Sequence, residues 1–571
     1  MHPAVAAASS SPFTPPETVD QINRLLSLLL PASLSVKSFV GRWQVLRSKL
    51  SYLRTAVAEV SDSSHWADNP LLQTLLPNVL ATLFRVKSLS EQCTDSSFNG
   101  GKLLMQSDLD MASSALSSQL HDLDLLLRSG VLLHSNAIVL SQPGAGADKD
   151  DVKLFVRELF TRLQIGGTGF KKKALEALLR LLGDDEKLAS LVAQEGEIAL
   201  LVHLLDINAD PCLREQAATA VALLATASDF SRKSVFEHGG LGPLLRMIEN
   251  GSSSLKEKAA MAVEAITAEP EHAWAVSAYG GVSVLLEACR SGTPGTQSHA
   301  VGAIKNVAAV EDFRNAVAEE GGVAVLLRVL MSGACAVQEK AAEGVAALVS
   351  SGGHIRTQVL RERGLQKLML AFQESPSADT MEHVLRAITS LSASDSVYRT
   401  LSSSTAFVVQ LGEVIRRGGS VVSLQISALL LSRLSVSDGN KRAIAGSMGS
   451  LVRLMEAAKP AGLPEAAAQA LASLLTVRSN RKELARDEKS LGRLVRMLDP
   501  KNEGVGQELA VMVVTAMVSG GSEGTRGRVL AAGAQPHLRR LAEAEVAGAK
   551  RALQKLAGSR LKSIFSKAWK E

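Results

Sequence analysis

Apolar residues return along most of this chain in two alternating textures. One is a short Leu-rich run led by glycine, as in Gly239-Gly-Leu-Gly-Pro-Leu-Leu-Arg-Met-Ile248, Gly280-Gly-Val-Ser-Val-Leu-Leu-Glu-Ala-Cys289 and Gly321-Gly-Val-Ala-Val-Leu-Leu-Arg-Val-Leu330. The other is a longer Ala-rich segment, such as Leu213 to Leu224 or Leu255 to Ile266, with apolar residues every three to four positions. That spacing lines up one face of an α-helix and predicts a buried helical face. Alanine is the strongest helix former and lets backbones approach closely, while glycines at the junctions suit left-handed helix ends. A sheet would draw on β-branched and aromatic residues, and only 4% of the chain is aromatic.

The two textures recur as a pair. The first apolar residue of the short phrase falls at Ile198, Leu241, Val282, Val323, Leu365, Phe407, Met448, Leu491 and Ala534, at intervals of 41 to 43 residues. Each phrase is followed by a polar break, such as Glu249 to Ser252, then the long Ala-rich helix. A lead-in such as Asp312 to Val317 then reaches the next Glu-Gly-Gly. This order resembles the armadillo repeat, whose period of roughly 40 to 47 residues it shares. HEAT repeats have a similar period but lack the recurrent Gly-Gly opening. The resemblance runs from about Asp151 to about Glu545, and residues 151–549 are assigned to about nine to ten units. The units at Leu365 and Phe407 are degraded. Residues 151–194 read as a first unit whose short helix has lost its glycine turn, with Leu178 to Leu182 in its long helix. The fold implied is all-α: a right-handed armadillo-type α-solenoid, or superhelix, preceded by a helical bundle.

That bundle is expected at residues 18–134. Amphipathic runs at Ile22 to Leu30, Trp43 to Val60 and Leu71 to Leu89 precede a turn after Cys93, and a long helix is predicted from about Ser107 to Ser129. Residues 1–17 are rich in Ala, Ser and Pro and are expected to be disordered. The layout, with Lys87-Ser-Leu-Ser-Glu-Gln-Cys93 and Lys102-Leu-Leu-Met-Gln-Ser107, looks like the amino-terminal helical domain of plant U-box ubiquitin ligases that carry armadillo repeats. In those ligases a Cys-Pro-Ile-rich U-box stands between the two parts. Here residues 135–150 are a Gly, Ala and Asp linker and no Cys-Pro-Ile string occurs, so ligase activity does not follow.

Charge and chemistry narrow the function further. The tail from Lys550 has seven basic residues and one acid, a net of +6 against +5 for the whole chain, which leaves the rest at −1. A phosphate-tracking basic stripe is therefore absent from the body, and no nucleic-acid partner is expected. A row of arginines at one repeat position, Arg246, Arg328, Arg453, Arg496 and Arg539, reads as a solvated outer face. Cys93, Cys212, Cys289 and Cys335 show neither pairing nor metal-ligand spacing, which points to a reducing compartment, cytoplasmic or also nuclear. No apolar run of about 18 residues exists to span a bilayer. The Gly166-Gly-Thr-Gly-Phe-Lys-Lys-Lys173 stretch lacks phosphate-loop spacing and reads as an inter-helix turn. His299 reads as a packed or groove-facing residue. No nucleophile has a recognisable base, so no enzyme, cofactor or metal is expected.

What remains is a binding surface on a protein expected to be monomeric. In the armadillo proteins that this chain resembles, two positions four apart on each long helix project into a concave groove, and asparagines there hold an extended peptide. Carried over, that spacing gives Thr219 and Leu223, Met261 and Ala265, Gly302 and Asn306, Glu343 and Ala347, Arg386 and Ser390, Leu429 and Arg433. Only Asn306 matches the family's asparagine, so recognition of nuclear-localisation signals is disfavoured and a mixed, more apolar surface is expected. The same small residues also suit plain helix packing. The expected function is a non-catalytic adaptor that binds an unidentified protein segment. Two alternatives are an accessory role beside U-box relatives in ubiquitin signalling and a peripheral membrane attachment through residues 550–571. In that tail Leu553, Ala557, Leu561, Ile564, Phe565 and Ala568 share one helical face, which suits either a membrane anchor or an end cover for the array.

Overall fold

The structure, a computed structural model, describes residues 14–557 apart from 64–65, 95–100, 129–131, 133–147, 185–186, 207–209, 458, 503–505 and 521. No strand occurs among the described residues. The chain divides into two compact units, Met1–Ile266 and Thr267–Glu571.

The first unit opens with four long helices: α1 (Pro15–Ser35), α2 (Val40–Asp62), α3 (Pro70–Thr94) and α4 (Lys102–Arg128). α1 starts inside the stretch expected to be disordered. Glu17 takes the backbone N–H of Thr14 at 2.8 Å, and Pro15 fits a first helical position because it has no N–H to satisfy. α4 also starts earlier than predicted, at Lys102, because Met105 and Leu109 already share its buried face. α1 packs on α2 and α3, and α4 packs on α2 and α3. Arg42 meets Asp110 at 2.8 Å, and Lys49 meets the carbonyl of Ser113 at 2.9 Å further along both helices, so α2 and α4 run in one direction. The amides of Lys37 and Ser38 reach the carbonyl of Cys93, which brings the ends of α1 and α3 together. Between the helices lies a Leu-rich core with Trp43 as its largest buried side chain.

The rest of the first unit begins the repeats. Helices Lys149–Ile165 and Thr168–Asp184 meet at Gly166 and Gly167, so only these two residues of the glycine-lysine stretch form the turn that was expected over Gly166 to Lys173, and Thr168 to Lys173 open the second helix. Helices Ile198–His203, Pro211–Ala227 and Leu241–Asn250 follow.

In the second unit each repeat has three helices, as in Pro270–Ala278, Gly281–Ser291 and Pro294–Ala309. All nine anchor residues, from Ile198 to Ala534, are buried and lie within the first four positions of a repeat's second helix. The Gly-Gly opening has two jobs. Gly321 takes φ +88°, which L residues avoid, while a Cβ on Gly322 would sit 2.5 Å from the Val317 side chain. The degraded unit at Leu365 keeps the same turn with Arg363 at φ +56°. Its neighbour keeps its core through Phe372 and Phe407, whose rings lie 5.5 Å apart. Successive long helices pack on one another from Pro294–Ala309 through Cys335–Ser350, Ala378–Leu391, Val421–Arg433, Leu463–Leu474 and Gln507–Val518 to Ala549–Ala557. These are all-α solenoid repeats of armadillo type.

Candidate functional site

The candidate site is the solvent-facing strip of these long helices, taken separately in each unit. In the first unit, Thr219 and Leu223 stand half-buried on Pro211–Ala227, and Met261 and Ala265 stand half-buried on Ser253–Thr267. The Thr219 hydroxyl donates back to the Glu215 carbonyl at 2.9 Å, and Glu215 accepts the Ser254 hydroxyl of the next repeat at 2.6 Å.

The second unit carries the charged part. Asn306 is half-buried and donates through Nδ2 to the Thr267 hydroxyl at 3.2 Å. One donor of the asparagine that fits the family pattern thus serves a neighbouring repeat. Gly302, one turn earlier, is buried, so that position serves packing and does not line the strip. Glu343 pairs across the helix boundary with Lys305 at 3.3 Å. Arg386 is exposed and pairs with Glu382 of its own helix at 2.6 Å. Ala347, Ser390 and Leu429 are half-buried, and Arg433 reaches the Tyr398 hydroxyl at 3.5 Å.

Two small networks result, and sequence reasoning named one member of each. Lys305 with Glu343 forms one. Glu382, Arg386 and Ser420 form the other, with the Ser420 hydroxyl donating to Glu382 while its oxygen caps the next helix by accepting the Ser423 amide at 3.0 Å. Lys305, Glu382 and Ser420 were missed, because an alignment of repeats shows which residues share a register and not which reach the next helix. A usable signal existed in the offset: Lys305 to Glu343 and Glu382 to Ser420 both span 38 residues, just under one repeat. Burial alone would raise the Glu382 carboxyl, but the hydrogen bonds from Ser420 and Arg386 and the Arg386 charge outweigh it and hold the group below the usual carboxylate range. Half-exposed pairs of this kind contribute at most about 1 kcal/mol each. They order the strip more than they hold the fold.

Other residues singled out by sequence fall into place. The five arginines of the outer row are all exposed. Arg328 nevertheless donates to the Cys289 carbonyl at 3.3 Å, so part of the row tethers one repeat to the previous one. Burial pushes the Cys289 thiol up to about 12, which leaves it inert, and Cys93 is buried too, while Cys212 and Cys335 are exposed. His299 is half-buried on its long helix. Among the described residues no group of three His, Cys, Asp or Glu is placed to hold a metal, and no helix is long and apolar enough to cross a membrane. In the tail, Leu553 is buried in Ala549–Ala557, the last helix of the described residues, which packs on Gln507–Val518 and on Ala534–Glu543. Leu561, Ile564, Phe565 and Ala568 lie outside the described residues.

With this geometry in view, comparison with known proteins gives fold more than function. Residues 20–131 match a domain family of unknown function, DUF7032. No protein with a curated description matches the chain. An engineered protein solved by crystallography is similar over 71% of this chain and 99% of its own, with a TM-score of 0.55 and 24% identity. The likeness is one of fold. A designed armadillo repeat protein matches 41% of this chain and 98% of its own at a TM-score of 0.39 and 20% identity. Another, solved in complex with the peptide (KR)4, matches 41% of this chain and 98% of its own at 0.38 and 19%.

Proposed function

We propose that the chain is a non-catalytic scaffold that holds an extended segment of a partner protein along the solvent-facing strip of its long helices. The observation that carries this reading is the pair of networks Lys305/Glu343 and Glu382/Arg386/Ser420, which set both signs of charge on successive helices of one stacked series. An extended backbone offers donors and acceptors at regular intervals, and a strip that repeats once per unit meets them without folding the partner. The mixed charges suit a segment of alternating sign or polarity, not a uniformly basic one. Two exposed thiols, Cys212 and Cys335, accord with work in a reducing compartment such as cytosol or nucleus.

Peptide-display selection on the full chain tests the proposal. The wild-type protein is expected to enrich a shared sequence pattern, and a variant carrying Asn306→Ala, Glu343→Ala and Arg386→Ala together is expected to lose it while keeping its helical circular dichroism. Equal enrichment by both proteins would remove the strip from the account.

A further inference from the structure

The loop that joins Thr405–Arg417 to Val421–Arg433 runs Arg416-Arg-Gly-Gly-Ser420, and all five residues are exposed. Arg416 and Arg417 close the first helix and both turn back to one carboxylate oxygen of Glu413, at 2.7 and 3.2 Å. One anion serves two guanidinium groups, so positive charge is left over. Two glycines link the arginines to the serine, and a Cβ on Gly418 would meet nothing within 4 Å, so the link can straighten without displacing a packed group. Ser420 then caps Val421–Arg433, accepting the Ser423 amide at 3.0 Å while its hydroxyl donates to Glu382 of the preceding repeat.

A hydroxyl placed three and four residues after guanidinium groups suits a protein kinase with acids beside its phosphoryl-transfer site: the acids hold the arginines, and the chain between lies extended to bring the hydroxyl to ATP. Six described residues are Ser or Thr with arginine three positions before them: Ser27, Ser88, Thr293, Thr389, Ser402 and Ser420. Ser27, Ser88, Thr389 and Ser402 lie inside helices, where the backbone cannot extend without unwinding. Thr293 caps a helix as Ser420 does, but it is half-buried and follows a single arginine. Among the described residues, exposure, a glycine link and paired arginines meet at Ser420. We propose that Ser420 accepts a phosphoryl group from an arginine-directed protein kinase using Mg-ATP. The serine oxygen bonds to the γ-phosphorus as the bond to the β-phosphate oxygen breaks, the hydroxyl proton passes to the kinase's catalytic carboxylate, and ADP leaves.

The product does not keep the present contacts. Phosphoserine has no hydroxyl hydrogen to give Glu382 and sets a charge of about −1.5 to −2 beside that carboxylate. The helix amino terminus and Arg386, now held by Glu382, favour the phosphate instead. The link from Glu382 to Ser420 across the repeat boundary is cut, and this part of the strip turns from mixed to net negative charge. On the strip reading proposed above, on which this second step rests, phosphorylation weakens the hold on a bound segment.

Incubation of the full chain with Mg-ATP and the catalytic subunit of an arginine-directed kinase, followed by peptide mass spectrometry, tests the acceptor. Wild type is expected to carry phosphate on Ser420. Arg416→Ala/Arg417→Ala should slow that uptake at least about tenfold, with unchanged thermal unfolding because both side chains stand largely in solvent. Phosphorylation of a synthetic peptide of residues 412–424 but not of the full chain would overturn the proposal, because the fold would then withhold the hydroxyl; an equal rate in the arginine variant would overturn it too. The second step is read separately. The phosphorylated chain is expected to bind the display-selected peptide at least about tenfold less tightly, while a Ser420→Ala chain treated alongside binds as before treatment. Equal binding after phosphorylation would overturn the weakening and leave the acceptor standing. The mapping does not use the strip, so failure of the peptide selection would strike the strip reading and leave Ser420 to be judged by the mapping.

Discussion

The four-helix bundle and the repeats of the second unit are both all-helical, yet they are held together on different length scales. In the bundle, Arg42 finds Asp110 and Lys49 finds Ser113, partners 68 and 64 residues away, around a core of large side chains such as Trp43, Leu46, Leu50 and Leu53. In the repeats, bond after bond spans about one unit: Asn306 to Thr267, Lys340 to Ser298, Gln358 to Ala318 and Asn480 to Lys441 bridge 39, 42, 40 and 39 residues. Their core mixes leucines, valines and the Phe372–Phe407 pair with many small residues, among them Ala300, Ala303, Ala341, Ala342, Ala466 and Ala467. A bundle of this kind should fold as one cooperative body, whereas stacked repeats add up nearest-neighbour terms.

The sharpest way to break that contrast is Trp43→Ala. Emptying the space of a side chain that is 1% exposed should cost about 3 to 5 kcal/mol, all of it in the bundle. Calorimetry should show one transition falling while the helical signal of the repeats persists; a common shift of all transitions would mean that the two regions do not unfold separately. Next comes Gly322→Ala. The new methyl would meet the Val317 side chain at 2.5 Å and its carbonyl at 2.6 Å, an overpacking that should cost about 1 to 3 kcal/mol. Hydrogen exchange should quicken in Gly322–Ser332 and Cys335–Ser350 and stay unchanged in α1 to α4.

A smaller effect should appear at Ser420, which both caps Val421–Arg433 and binds Glu382. Ser420→Ala should cost about 1 kcal/mol near neutral pH. It should also change the acid response. Because the folded-state carboxyl of Glu382 is held low, its contribution is present above the unfolded value near 4.5 and is lost as pH falls through the folded one. Titrating stability from pH 7 to pH 3 should therefore show a shallower loss in the variant. The smallest change is expected from Arg363→Gly, which removes a left-handed conformation that costs an L residue about 1 to 2 kcal/mol, offset in part by the greater freedom of glycine when unfolded. A net gain of roughly 0.5 kcal/mol in the repeats is the expected reading from urea melts.

The same contrast explains what could be read from sequence. The repeats announce themselves because each unit solves the same packing problem, so every anchor from Ile198 to Ala534 is buried at the start of a helix. Even the units at Leu365 and Phe407, degraded in wording, keep their helices. The bundle has no internal copy to compare with, and the expected start of α4 near Ser107 falls more than a turn after the observed one at Lys102. At the candidate strip the helices were legible and the networks were not. Asn306 could be found by register, but its partner Thr267 and the link from Lys305 to Glu343 depend on reach across a boundary that no single repeat contains.

The near-constant offset of these cross-links has a consequence for how such a chain changes length. Excision of residues 323–364 would join Gly322 to Leu365, the same kind of junction that Gly322 now makes with Val323, and would keep the order of short and long helices. Removal of half as many residues would put a long helix where a short one belongs and leave the partners that span the cut out of phase. Gain and loss by whole modules is thus the tolerated form of variation here, and the lone glycine pairs mark where the seams would fall.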